Sequence, residues 1–280
     1  MSAEKSSCLY TVITGCYDNL SEIPSKFYFP YIYDYICLTD DPNLKSKTWK
    51  VIKIDLINND PQLTQRYYKI KIHKFIEKYE KSIYIDGSLI LKKNLFNLIN
   101  NLDNYDMIGI QHPKRKCIYQ EGAVLLHPYK RIEKKNNVVP LIQYLKNDNY
   151  PKLFGLTATG CLIRNHNDNI INTMNEWFRF VKNFSRRDQL SFMYCIWKNK
   201  IKLFIPEISL KECFQIKNHL VKRKNNYIRK ETWIECFDPY ENRKYFFNIN
   251  NRLCKWNLNS NYEEEHYKFL ELGYDKNKYY

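Results

Sequence analysis

Asp86-Gly87-Ser88 is the tripeptide best placed in this chain to hold a ligand. The apolar run Ser82-Ile83-Tyr84-Ile85 before it reads as a strand that ends in the carboxylate and its glycine. A carboxylate at the carboxyl end of a strand can hold a hard divalent cation, Mg²⁺ or Mn²⁺, against a diphosphate whose oxygens complete the shell. Such a cation neutralises the charge growing on a departing nucleoside diphosphate. The same residues also suit an ordinary turn in which Asp86 caps the next element.

Four other constellations could carry chemistry. Lys71-Ile72-His73 lies upstream of Asp86 on a predicted helix, with Lys71 flanking its apolar stripe, while Arg66, Lys69 and His73 share another side. Lys71 could reach over the sheet edge, or the cations could form a solvated basic face. His112-Pro113-Lys114-Arg115 and the following Tyr119-Gln120-Glu121 read as a loop that could bind sugar or phosphate or supply a general base; an ordinary polar loop fits as well. In Ser185-Arg186-Arg187-Asp188-Gln189, Ser185 reads as a helix N-cap with Asp188 as the capping-box acid. The charged cluster is costly to bury without a partner, which leaves a ligand-facing role open. His219, among Lys217, Lys222, Arg223 and Lys224, could bind a metal and its phosphates or stay solvated.

The elements that must position these groups alternate. Strands are predicted at Cys8–Thr14, Asp34–Thr39, Trp49–Ile54, Ser82–Asp86, Asp106–Ile110, Thr159–Ile163 and Lys202–Ile205. Helices are predicted at Leu63–Glu80, where Ile72, Phe75, Ile76 and Tyr79 make one stripe, and at Leu95–Leu102, Asn169–Phe184 and Asp188–Trp197. The alternation implies an α/β fold, a mostly parallel sheet with helices on both faces and ligands at the carboxyl ends of its strands. After about Pro206 the pattern loosens and charge rises through Lys217–Lys230, so a domain over 1–220 and a basic extension over 221–280 are expected.

Composition narrows the class. The chain has 280 residues, 44% of them apolar and 16% aromatic, which excludes a disordered tail protein. Only 7 Gly and 10 Pro exclude collagen-like repeats. No apolar run is long enough to cross a membrane and Met1–Ser7 has no signal-like core, so a cytoplasmic protein is expected. The 45 Lys and Arg against 30 Asp and Glu leave +15, which suits phosphate-bearing partners. The joint abundance of Ile, Lys, Asn and Tyr also points to an AT-rich genome, as in a large DNA virus or a protist, and much of the lysine follows from that bias. Nine Cys without a CxxC read as buried free thiols. No GxGxxG, P-loop, GxSxG or HExxH pattern is present.

Taken in order, these motifs resemble a known family. The stretch Tyr10-Thr11-Val12-Ile13-Thr14-Gly15-Cys16-Tyr17-Asp18-Asn19-Leu20, then Asp34–Asp40, Trp49, Lys71–His73, Ile85–Ser88, His112–Glu121 and Arg187–Phe192 are similar to the glycosyltransferase-like domain of the plant mucilage-related and turgor-regulation-defect proteins. The resemblance covers about residues 8 to 220. That family in turn resembles the glycogenin-type retaining glycosyltransferases of GT-A fold: Ile83–Asp86 is similar to their Asp-x-Asp metal strand, Thr159-Gly160-Cys161-Leu162 to their Asn-Ser-Gly-Val strand, and Asp188-Gln189 to their Asp-Gln helix start. Ser88 stands at the second carboxylate position and Thr159 at the asparagine.

The resemblance implies transfer of a sugar, of hexosyl type, from a nucleotide-sugar donor (a UDP-sugar) to a glycan or glycoprotein hydroxyl, with retention and with Mn²⁺ or Mg²⁺. Thr14, Gly15, Tyr17, Arg66, Lys71, Asp86, Gly87, Ser88 and Lys224 would bind the nucleotide and donor, with Tyr17 stacked on the base. Asp86, Ser88 and His219 would hold the metal. Asp188, Gln189 and Glu121 would be catalytic, and His112, Arg115 and Arg187 would face the sugars. The alternatives are a ceramidase-like hydrolase and a basic protein that binds nucleic acid or an anionic surface.

Overall fold

Fully buried β-favouring runs set the centre of the molecule. The computed structural model describes residues 7–15, 20–127, 133–216, 233–259 and, as backbone, 264–265. The described residues fall into two compact units. One comprises Met1–Pro113, Thr157–Lys182 and Cys195–Lys222; the other comprises Lys114–Leu156, Asn183–Tyr194 and Arg223–Tyr280. The expected boundary at 220/221 lies outside the described residues.

In the first unit, β1 (Ser7–Ile13), β2 (Asp34–Thr39) and β3 (Lys50–Lys53) are followed by α1 (Pro61–Ile70), β4 (Lys81–Ile85), the short β5 (Leu89–Leu91) and β6 (Met107–Gln111). A seven-stranded sheet runs β3-β2-β1-β4-β7-β6-β8, with β7 at Thr157–Asn165 and β8 at Leu203–Phe204. Four of its six pairings are parallel, and both antiparallel ones belong to β7. The expected α/β architecture with a mostly parallel sheet is therefore the one observed. All seven residues of β1 are buried, as a central strand requires, whereas β3 exposes Lys50 and Lys53, charges that suit a sheet edge. Among the described residues no helix is long and apolar enough to cross a membrane.

Helix α1 starts two residues before the expected Leu63, with Asp60 capping the Leu63 amide at 2.9 Å and Pro61 in the first turn. It ends ten residues earlier than expected. Continuing it would require the Lys69 carbonyl for the amide of His73, but the Tyr10 hydroxyl and the Arg164 guanidinium each take that carbonyl at 2.6 Å. Ile72–Lys74 forms a 3₁₀ turn instead, so Ile72, Ile76 and Tyr79 are buried while Phe75 is left exposed rather than sharing one stripe. The short helix expected at Leu95–Leu102 is a 3₁₀ segment, Phe96–Asp103.

The second unit holds two elements with no counterpart among the expectations, α2 (Ile118–Leu126) and α3 (Lys135–Asn147). Helix α2 is buried on nearly every side, so it carries no apolar stripe, and α3 contains Pro140. The two approach closely: a Cβ on Gly122 would lie 3.0 Å from Ile142 Cδ1. Helix α4 (Asp168–Asn183) lies almost wholly in the first unit, and α5 (Gln189–Lys198) has its first half in the second. The short α6 (Leu210–Cys213) leads into β9 (Phe214–Ile216), which pairs antiparallel with β5. The described C-terminal residues form an antiparallel sheet: β10 (Trp233–Asp238), β11 (Arg243–Asn248), β12 (Leu253–Lys255) and β13 (Glu264–Glu265). The eight described cysteines are all buried and free.

One buried group makes stability depend on pH. Arg164, 1% exposed, receives no carboxylate among the described residues; besides the two oxygens at Lys69 and Tyr10 it has only Met174 Sδ at 2.9 Å. Burial, then this guanidinium, push His166 down to about 3 and His73 to about 4. Both imidazoles are neutral in the folded state at pH values where the unfolded chain protonates them, so their contribution is full above about pH 6.5 and is lost as pH falls toward those lowered values. Thermal melting should therefore lose roughly 5 °C between about pH 7 and about pH 4.5. The variant His166→Gln should show a shallower acid slope; equal slopes would contradict this assignment.

Candidate active site

The carboxyl ends of β1 and β4 meet in the middle of the sheet, where neighbouring parallel strands leave a crevice for a ligand. Past β1, the Thr14 hydroxyl donates to the Pro61 carbonyl at 2.7 Å, and the Gly15 amide donates to both oxygens of Asp40, at 3.0 and 3.2 Å. Asp40 follows the end of β2, so the strand ends tie their own loops together. Gly15 has φ +64°, the left-handed conformation that favours glycine. Past β4, Asp86, Gly87 and Ser88 turn tightly, the Leu89 amide returning to the Asp86 carbonyl at 2.9 Å. A side chain on Gly87 would have to push Ile13 aside, since its Cβ would lie 2.0 Å from Ile13 Cδ1.

Asp86 is held from below and open from above. Its Oδ1 accepts from the Tyr84 hydroxyl at 2.6 Å, and Lys69 Nζ lies 3.9 Å away. The Lys69 side chain is 2% exposed and that of Asp86 36%, so a ligand can reach the carboxylate but not the ammonium. Lys69 Nζ also sits 4.8 Å over the Tyr84 ring, and Gln65 Nε2 donates to the Tyr84 hydroxyl at 2.6 Å. Burial, then the Asp86 charge, push the Tyr84 phenol well above its ordinary value, so it stays a donor. Oδ2 occupies space left by Gly160 of β7, which also takes the first amide past β4: Asp86 N donates to Gly160 O at 2.9 Å. A Cβ there would lie 2.9 Å from Oδ2.

Among the described residues the candidate donors here are oxygens, the Asp86 carboxylate and, two residues on in the chain, the buried Ser88. That chemistry fits Mg²⁺ or Mn²⁺, which take one or two protein carboxylates and fill the shell with water and phosphate. Among the described residues no group of three or more His, Cys, Asp or Glu could enclose a metal by itself.

The lysine that the structure brings to Asp86 is Lys69, not Lys71. Lys71 caps the C-terminal end of α1, its ammonium 5.6 Å over the Phe178 ring, and burial lowers its pKa. Arg66 bonds the Gln65 amide oxygen beside this cluster, and His112 follows Gln111 at the end of β6. Tyr17, His219 and Lys224 lie outside the described residues, as does the basic run 217–230.

In the second unit, Glu121 is not on a loop. It belongs to the first turn of α2, where the Arg115 guanidinium bonds its carboxylate and both side chains are largely buried. The neighbouring Gln120 Oε1 accepts from the Lys116 amide at 2.7 Å. Ser185 does not cap α5. Its hydroxyl donates to Glu133 at 2.7 Å and accepts from the Arg187 amide at 3.1 Å. Asp188 has that capping place: its Oδ1 accepts from the Gln189 amide at 3.0 Å, and its carbonyl accepts from Phe192 at 3.2 Å. Asp188 is 4% exposed.

Residues 37–225 match the family model described as TOD1/MUCI70, glycosyltransferase-like domain, about two-thirds of the chain. A comparison with curated proteins returns no match. Among solved structures, the apo bifunctional glycosyltransferase WbbM is 14% identical with a TM-score of 0.43, over 72% of this chain and 39% of its own. Core-mannan synthase A from Aspergillus fumigatus, in a Mn/GDP form, is 10% identical with a TM-score of 0.44, over 75% and 74%.

The close fit of Gly160 to Asp86 separates site from scaffold. In Gly160→Ala the end of a side chain, rather than backbone, must give way, so stability should fall by no more than about 1 kcal/mol. The displaced carboxylate should cost roughly 100-fold in any activity that depends on Asp86. Chemical denaturation and a turnover assay on the same preparation check this; a fully active variant would contradict it.

Proposed function

The chain belongs to the TOD1/MUCI70 glycosyltransferase-like family, and from that premise we propose that it moves a hexosyl group from a nucleotide-sugar donor of the UDP type to a hydroxyl of a glycan or glycoprotein. The observation that carries this reading is the junction of β1 and β4, where Asp86 is held ready by Tyr84 and Lys69 at the ligand-binding end of a parallel sheet. In this reading Thr14 and Gly15, on the adjoining strand end, and Tyr17 would hold the nucleotide base. Asp86, with the Ser88 hydroxyl and His219, would hold the divalent cation. When bound, that cation offsets the charge developing on the leaving diphosphate.

In this reading the acceptor oxygen bonds to the anomeric carbon as the bond from that carbon to the donor's phosphate oxygen breaks. The acceptor's proton passes to the departing diphosphate. Attack and departure share one face, so configuration is retained. The chain's own part is to fix the donor and to stabilise charge, the contribution that usually dominates. Lys224 assists at the diphosphate. The Arg115–Glu121 ion pair, His112, Arg187, Asp188 and Gln189 are the groups this reading assigns to the sugars and the acceptor.

Thermal melting with UDP, GDP and a set of UDP-sugars, with and without Mn²⁺, tests the proposal. A nucleotide at about a hundred times its Kd adds about 2.7 kcal/mol, which for a chain of this size is roughly 5 to 10 °C. A shift is expected with one nucleotide class, increased by Mn²⁺. In Asp86→Asn, read against its own ligand-free Tm, the Mn²⁺-dependent part should vanish. No shift with any nucleotide would overturn the transferase reading. Steeply salt-dependent nucleic-acid binding in its place would favour the binding-protein alternative.

A further inference from the structure

Asp86 is the only carboxylate of its motif, and its charge is already answered inside the protein. Lys69 Nζ stands 3.9 Å from Oδ1, reaching it from the buried side, while the Tyr84 hydroxyl fixes the same oxygen. The ammonium has no route to solvent: its side chain is 2% exposed, its charge faces the Tyr84 ring, and its backbone carbonyl is clamped by Tyr10 and Arg164. It therefore stays when a ligand arrives. Two residues on, Ser88 supplies a neutral hydroxyl where a second carboxylate would add charge. The pair Asp86 and Lys69 sums to zero, so a divalent cation at Oδ2 gains one carboxylate and meets a fixed positive charge a few ångströms away. A diphosphate reverses that balance, because its negative charge attracts both the divalent cation and the ammonium.

We infer that Lys69 is a resident counter-ion for Asp86, a positioning residue that keeps Mn²⁺ or Mg²⁺ weakly held until a nucleoside diphosphate enters with it. The inference rests on the transferase reading and adds an order to it: metal and nucleotide bind as coupled partners, each raising the other's affinity by the same factor. Lys69 acts through Asp86 and touches neither donor nor acceptor.

The test is Mn²⁺ binding followed by electron paramagnetic resonance, without nucleotide and with saturating UDP or GDP. It is run on the wild-type chain, Lys69→Met and Lys69→Arg, with melting curves to establish folding. In the wild type, nucleotide should tighten Mn²⁺ by at least about tenfold. Lys69→Met keeps the clamped backbone carbonyl and most of the side-chain volume. It should bind Mn²⁺ alone about tenfold more tightly and lose most of the gain from nucleotide. Lys69→Arg should behave as wild type. A merely structural lysine would give a variant with weaker metal binding, so unchanged or weaker Mn²⁺ affinity in folded Lys69→Met overturns the inference. Equal Mn²⁺ affinity in the wild type with and without bound nucleotide overturns it without any variant. A wild type that binds no nucleotide at all instead overturns the transferase reading.

Discussion

The carbonyl of Lys69 is the point on which the first unit turns. It accepts from the Tyr10 hydroxyl and from the Arg164 guanidinium, so one atom joins α1 to β1 and to β7. A buried guanidinium without a carboxylate is expensive unless dipoles answer it. Here the answer comes from the C-terminal end of α1, whose carbonyls carry partial negative charge and lack partners further along the helix. The helix stops there because its carbonyls have found tertiary donors. That stop sends the chain into the 3₁₀ turn at Ile72–Lys74 and leaves Lys69 facing the sheet, its ammonium against Tyr84 and Asp86.

From that anchor the geometry of Asp86 follows step by step. Tyr10 and Tyr84 sit on neighbouring strands in register, their rings 5.2 Å apart, and Tyr84 carries its hydroxyl two residues ahead to Asp86. Small residues supply the remaining space. Gly87 lets the turn after β4 lie against Ile13, and Gly160 leaves room for Oδ2 on the opposite side. The described surroundings of Asp86 are thus packed strands and one helix end, the arrangement that holds a functional group to the fraction of an ångström that chemistry needs. The cost of the anchor is visible in His73 and His166, which the same guanidinium and burial hold neutral.

Much of this was legible in the residues. Runs such as Cys8–Ile13 and Asp34–Thr39 have no alternation because both faces are covered, and that marks central parallel strands. Asp86-Gly87 after an apolar run marks a strand end with a carboxylate. What periodicity could not convey is competition for a backbone carbonyl. Nothing local tells α1 to stop at Ile70, so the stripe through Tyr79 extends the predicted helix and gives no sign that Lys69 is the lysine packed beside Asp86. Helix α2 was hidden for the opposite reason: it is buried all round, and a helix with no polar face shows no 3.6-residue rhythm. The hairpin of β10 and β11 did carry a signal, two β-favouring runs around Asp238-Pro239-Tyr240-Glu241-Asn242, obscured by the high charge of that part of the chain.

The two buried cations of the first unit also explain why net charge is a poor guide to its chemistry. Composition alone would assign the +15 to nucleic acid or to an anionic surface. Arg164 and Lys69 are different, since neither can be reached by a partner. Among the described residues Arg164 is answered by dipoles and Lys69 lies beside Asp86, so positive charge is fixed beneath the strand ends. A field of that sign persists into the crevice because the protein between screens it less than water would. It favours a ligand that brings several negative charges in a small volume, and it disfavours a bare divalent cation. The nucleoside diphosphate and metal of the proposed function would meet both conditions together.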